Sequence, residues 1–243
     1  MKLTLPVPIE PQPNDCSCGP TCLQAIYAYW GHPATVGQII SDIPQLETGG
    51  TLAVQLACHA LERGFDALIY TYNLHIFDPT WFQNDAVDLA QRLQRQRDRK
   101  TTSNAHFSLA TDHYLRFLEL GGRVRMQRLD RSMIHDHLTR EIPLLAGLSA
   151  TFLYQEARER SQSPDQSGIS SVPDDLGGYP VGHFVVLSGY DDEADTVMVS
   201  DPLHPNPRFG ARQYWASIDH VSAAIFLGIV TYDANLLLIQ PKS

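Results

Sequence analysis

Hydrophobic positions along this chain change their spacing near the middle. Leu23, Ile26, Tyr27 and Trp30 recur at the three- and four-residue intervals of a helix face. They predict a helix that starts near Gly19-Pro20, where the missing N–H of proline is not needed, and stops at Gly31. Short helices are predicted over Thr35–Ile43 and Thr51–Arg63, the latter capped by Thr51 after the Gly49-Gly50 turn and burying Leu52, Leu56, Ala60 and Leu61. Phe65–Tyr72 alternates like a strand. Further helices follow over Asn84–Lys100, His106–Leu120 and Arg131–Arg140, with a short strand over Val124–Leu129.

Beyond Arg140 the runs become short and continuously apolar. Ile142–Leu148, His183–Tyr190, Thr196–Ser200, Ala224–Tyr232 and Leu236–Gln240 read as strands. Between the first two of these, Tyr154–Pro180 is rich in Ser, Asp, Gln and Gly and predicts a mobile surface loop just before His183, either a candidate lid or a disordered insertion. Helices first and strands later make an α+β pattern. The expected organisation is one domain over 1–243, with a mostly helical lobe at about 14–140 and a β-rich lobe at about 141–243. Leu5–Pro13 is a Pro-rich, extended opening.

Composition narrows the function. The 243 residues are 43% hydrophobic, enough for a packed core. A net charge of -9 argues against a dedicated nucleic-acid binder. The basic run Arg92, Arg95, Arg97, Arg99, Lys100 reads as a solvated helix face, since no aromatic residues interleave with it. His135-Asp136-His137 is discounted as a metal motif, because neighbours on a helix point apart. The first residues lack the apolar core of a signal peptide, and the longest apolar stretch, Val221–Tyr232, is too short to span a bilayer. The expectation is a cytoplasmic protein without a membrane partner.

Of the four cysteines, Cys16, Cys18 and Cys22 crowd into seven residues, and the fourth is Cys58. That is a poor disulfide framework and suggests chemistry instead. Cys18 stands just before the first predicted helix, where free N–H groups and the helix dipole favour a thiolate. Gly19 would let the backbone approach a substrate. Cys22 and Cys58, on helix faces, read as small buried hydrophobes. Cys16 competes with Cys18 but lies further from the helix start. Gln12, six residues before Cys18, could donate to a developing oxyanion together with the Cys18 N–H.

Of ten histidines, His183 is set apart by opening an apolar strand, Gly182–Tyr190, that is followed by Asp195–Asp201 and Pro202. A hairpin loop centred on Asp192 would pair residues whose numbers sum to 384 and set His183 opposite Asp201; a slightly longer loop would make them diagonal neighbours. His204, the nearest rival, lies in a Pro-rich turn and is expected to be exposed.

Gln12, then Cys18-Gly19-Pro20-Thr21-Cys22-Leu23, with His183-Phe184-Val185-Val186-Leu187 and Val199-Ser200-Asp201-Pro202 in that order, resembles the bacteriocin-processing, double-glycine leader peptidases of the papain-like superfamily. The sequence looks closer to the stand-alone, peptidase-like members. The resemblance implies a papain-like fold, with a helical lobe carrying the nucleophile helix packed on an antiparallel sheet. It also implies Cys18 as nucleophile, His183 as general base and acid, Asp201 as its orienter and Gln12 at the oxyanion hole. The substrate would be a peptide or amide, with no metal and no cofactor. Three other readings stay open: acyl transfer to an amine, a non-catalytic peptide-binding domain, and a metal protein using the cysteine cluster. With Cys18 so near the start, no N-terminal inhibitory propeptide is expected.

Overall fold

The alternating and continuous apolar runs assemble one mixed sheet that draws on both halves of the chain. The computed structural model describes residues 2–46, 49–84, 86–100, 105–163 and 171–242. Its strands are β1 (Lys2–Thr4), β2 (Phe65–Thr71), β3 (Arg123–Arg125), β4 (Leu144–Ser149), β5 (Glu159–Ser161), β6 (Ser171–Pro173), β7 (Gly182–Asp191), β8 (Thr196–Ser200), β9 (Gln213–Ser217) and β10 (Asn235–Pro241). Its helices are α1 (Cys18–Tyr29), α2 (Val36–Asp42), α3 (Ala53–Glu62), α4 (Leu89–Arg99), α5 (Ala105–Glu119), α6 (Arg131–Thr139), α7 (Ala150–Tyr154) and α8 (Ile218–Leu227).

The strand order is β3-β2-β10-β4-β7-β8-β9, and β1 lies alongside the far end of β7. Every pairing is antiparallel except β2 with β3. The inner strand β10 explains the continuous apolar runs: Leu236, Leu237 and Ile239 are fully buried, so both faces of the sheet are covered. Burying each such side chain is worth about 1.5–3 kcal/mol. Helices α1 and α3 pack against β7 and β2, while α8 packs against β4.

The expected α+β class is observed, with several corrections of detail. Ala224–Tyr232 is not a strand. Ile218, Val221, Ala224 and Ile225 are buried at helical spacing, whereas Phe226, Leu227 and Val230 are exposed, so the segment forms α8 and one 3-10 turn. Thr51 does not cap α3. The N-cap is Leu52, whose N–H donates to the Gln55 side chain 2.7 Å away. The helix expected over Asn84–Lys100 begins only at Leu89, capped by Asp88; residue 85 lies outside the described residues. The strand expected over Val124–Leu129 is only β3. Strands β1 and β9 are additional to the expected ones. Within the segment expected to be a loop, β5 pairs with β6, and the stretch 164–170 lies outside the described residues.

Candidate active site

Cys18 is the first helical residue of α1. Its N–H therefore has no partner within the helix, and its side chain sits at the positive end of the helix dipole. Ser17 precedes it as N-cap, and its carbonyl accepts from both the Thr21 N–H at 3.0 Å and the Thr21 hydroxyl at 2.8 Å. The first turn is pressed onto α3 and β7. A Cβ on Gly19 would come within 2.6 Å of Thr51 Oγ1 and 3.1 Å of Phe184. Gly19 is thus required for packing inside the protein. One turn on, the Cys22 thiol donates to the Phe184 carbonyl at 3.2 Å and ties α1 to the strand that begins with His183.

His183 Nε2 and Asp201 Oδ1 are 2.9 Å apart, and Cys18 lies near enough to the same ring to favour its protonated form. With Nε2 committed to Asp201, the nitrogen left for the thiol is Nδ1. The expected register is not the one observed. Val186 faces Ser200, so paired numbers sum to 386, and to 387 beyond an irregularity at Ser188. Continuing the first register by one residue puts Asp201 opposite Val185 and makes His183 its diagonal neighbour. The shift arises where β1 docks: Ser188 turns its carbonyl to the Leu5 N–H at 2.6 Å, and Gly189 lies so close to Leu3 that a Cβ would meet its carbonyl at 2.4 Å.

Asp201 is fully buried and its carboxylate is fully satisfied. Oδ1 accepts from His183 and from the Leu203 N–H, each at 2.9 Å. Oδ2 accepts from the Tyr154 hydroxyl at 2.8 Å, the Tyr214 hydroxyl at 2.7 Å and the Asn206 amide at 3.0 Å. Burial works against the Asp201 charge, but His183 and these donors hold the carboxyl below its ordinary range. Burial likewise disfavours the imidazolium, and the Asp201 and Cys18 charges outweigh it, pushing His183 up to about 10. Burial first and then the Asp201 charge push both phenols far up, so they remain donors. Sequence reasoning missed Tyr154, Tyr214 and Asn206. Nothing in the sequence pattern around Tyr214, within the five-residue β9, singles it out.

Gln12 is brought to the same corner. Its N–H donates to the carbonyl of Pro202, the residue after Asp201, at 2.9 Å. Its side-chain amide donates to Asn14 in the turn before α1 at 3.0 Å, and its Oε1 is buried with no partner among the described residues. Cys16 is half-buried. Cys22 and Cys58 are buried, and burial first of all raises both thiols, Cys58 to about 12. His204 is exposed.

A further buried acid lies behind the site. Asp233 packs near Gly182, and its Oδ1 has no partner among the described residues. Burial, offset only in part by the Ala53 N–H at the start of α3, pushes its carboxyl up to about 8 from 3.8. The folded chain thus holds a proton that the unfolded chain has lost. The resulting stability is complete below about pH 4 and is lost as pH rises through about 8. Asp233→Asn is expected to flatten the dependence of the urea midpoint on pH across that window and to raise stability at its upper end. An unchanged slope would rule this out.

A family model described as the Peptidase_C39 like family matches residues 4–223. No curated protein matches the chain. Among solved structures, a C39-like peptidase from Bacillus anthracis is similar over 100% of this chain and 99% of its own, with a TM-score of 0.54 at 14% identity. At that identity the likeness is one of fold. Two others have a TM-score of 0.44. One is the peptidase domain of Streptococcus ComA, a bi-functional ABC transporter involved in a quorum-sensing pathway, at 12% identity over 97% of this chain and 99% of its own. The other is xylellain, a cysteine protease from Xylella fastidiosa, at 14% identity over 100% of this chain and 86% of its own. The α+β architecture described above is therefore the papain-like fold of C39-type cysteine peptidases.

Proposed function

The chain belongs to the Peptidase_C39 like family, and from that premise we propose that it hydrolyses a peptide or amide bond through Cys18, His183 and Asp201. The observation that carries the reading is the 2.9 Å hydrogen bond between the buried Asp201 and His183, whose ring neighbours a thiol at a helix N-terminus. In this reading Cys18 and His183 form a thiolate–imidazolium pair, and the Asp201 charge keeps the imidazolium stable through neutral pH.

The thiolate attacks the carbonyl carbon, and the Cys18 N–H and the Gln12 amide stabilise the oxyanion. Nδ1 of His183 gives its proton to the departing amine as the C–N bond breaks, leaving a thioester on Cys18. The neutral imidazole then takes a proton from water, which attacks the thioester and releases the acid and the thiolate. Tyr154, Tyr214 and Asn206 do not touch the reacting atoms. They hold Asp201 ionised and fix its orientation.

The test is digestion of a synthetic peptide mixture in ¹⁸O-labelled water with a primary amine present. New C-termini carrying ¹⁸O are expected. Products that carry the amine would make the chain an acyltransferase, and no cleavage of any peptide would contradict the reading. Within this reading, Gln12→Ala is expected to lower kcat/KM about 10²–10³-fold with KM little changed, as loss of an oxyanion donor does. Steady-state kinetics on cleaved peptides would check this, and an unaltered kcat would remove Gln12 from the oxyanion hole.

A further inference from the structure

The sheet ends at β3, a three-residue strand whose outer edge has no partner strand among the described residues. A groove of about 940 Å³ runs there. The six consecutive residues 122–127 all line it. Side chains of a strand alternate between its two faces, so a groove touched by all three residues of β3 and by the residues flanking it runs along the strand's edge. Its other wall is mixed: Phe82, Val87 and Leu89, with Leu118 from α5, supply apolar surface beside Asn84 and Asp88.

The two sides of this edge differ in chemistry. Arg123 and Arg125 project to one side, where they also line a cavity of about 170 Å³ shared with Arg140. Asp66 is the one carboxylate lining that cavity, and none of the three arginines forms an ion pair among the described residues. Val124, on the opposite side, is buried. The positive charge continues past Trp81, which the edge groove shares with a concavity lined by Arg92, Arg95, Arg99 and Lys100. Trp81 stands beside this basic run in space, although no aromatic residue interleaves with it in sequence. All of this lies on a chain whose net charge is -9.

We propose that the β3 edge is a docking site for an extended segment of a partner polypeptide that alternates acidic and apolar residues. Such a segment adds to the sheet as a new edge strand, using main-chain hydrogen bonds for affinity and alternate side chains for selection. One set of its side chains lies across from Arg123 and Arg125 and must be acidic. The other lies beside Val124 and Leu118 and must be apolar. A second copy of this chain is the wrong occupant, because two-fold pairing of β3 with itself sets arginines against arginines. A nucleic acid has no strand backbone to complete the edge. The proposal does not rest on the peptidase reading, and its test uses a chain without the Cys18 thiol.

The probe is a fluorescein-labelled hexapeptide of alternating Glu and Val, measured by polarisation against the full chain carrying Cys18→Ala. Binding is expected for this peptide. It should be much weaker for the same composition written as two blocks, and absent for alternating Lys and Val. The double variant Arg123→Glu, Arg125→Glu alters two exposed side chains and should fold. It is expected to weaken binding of the glutamate peptide about tenfold or more and to acquire binding of the lysine peptide. Amide exchange should slow across 122–127 when the glutamate peptide binds. The proposal fails if the glutamate peptide does not bind, if charge reversal leaves its affinity unchanged, or if the protected amides lie elsewhere. It fails equally if the chain dimerises through 122–127, or if single-stranded DNA binds this edge and the peptide does not.

Discussion

Cys18→Ala is expected to lower peptide hydrolysis at least about a thousandfold while leaving the fold intact, because oxyanion contacts and substrate binding alone supply only a small remainder of the catalysis. The substitution removes a single sulfur from a side chain that is 8% exposed, so little packing is lost. Cys16 is not expected to substitute for it. Its sulfur lies against Gly49, where a Cβ would approach to 2.5 Å, and it precedes the helix that Cys18 begins. The measurement is turnover on a peptide cleaved by the wild type, with the circular dichroism spectrum as the check on folding. Cys16→Ala should keep nearly full activity. The reverse pattern would transfer the nucleophile to Cys16.

The second large effect is expected at Asp201. Asp201→Ala removes the acceptor of five donors at once and strands the Tyr154 and Tyr214 hydroxyls, the Asn206 amide and the His183 ring in the interior. Breaking a buried, charged network by deleting one partner typically costs about 3–5 kcal/mol. The urea midpoint should fall accordingly. Activity per folded molecule should fall as well, since the imidazolium loses the charge that outweighs its desolvation. By contrast, Tyr214→Phe leaves four of the five donors and removes only one. A variant Asp201→Ala with wild-type stability would mean that the network contributes nothing to the fold, and one with wild-type turnover would remove Asp201 from the mechanism.

Much of the fold could be read locally. The helix beginning at Cys18 follows from Pro20 in its first turn and apolar residues at helical spacing, and the strand over His183–Tyr190 from a run of continuous apolar residues. Length alone did not separate strand from helix in Ala224–Tyr232. That segment is uniformly apolar in sequence, and only the burial of Val221, Ala224 and Ile225 beside exposed Phe226 and Leu227 reveals the helical face.

The hairpin register failed for a different reason. The irregularity at Ser188 answers to β1, a strand nearly two hundred residues away in sequence, and nothing in the hairpin itself announces it. The diagonal alternative had nevertheless kept His183 and Asp201 within reach, and they meet at 2.9 Å. Tyr154, Tyr214 and Asn206 were invisible because each belongs to a separate stretch of chain and is linked to the others only by sharing Asp201 Oδ2. Asp233 was hidden too, since nothing in the sequence marks it as buried until the fold is known.

Alkylation of the native chain by iodoacetamide at neutral pH, with each modified cysteine located by mass spectrometry, tests the pairing of thiol and imidazole most directly. Cys18 should react fastest by a wide margin, Cys22 and Cys58 should stay unmodified until the chain is denatured, and His183→Ala should slow Cys18 to the pace of an ordinary thiol. A Cys18 that resists the reagent, or one whose rate is indifferent to His183, would contradict the account.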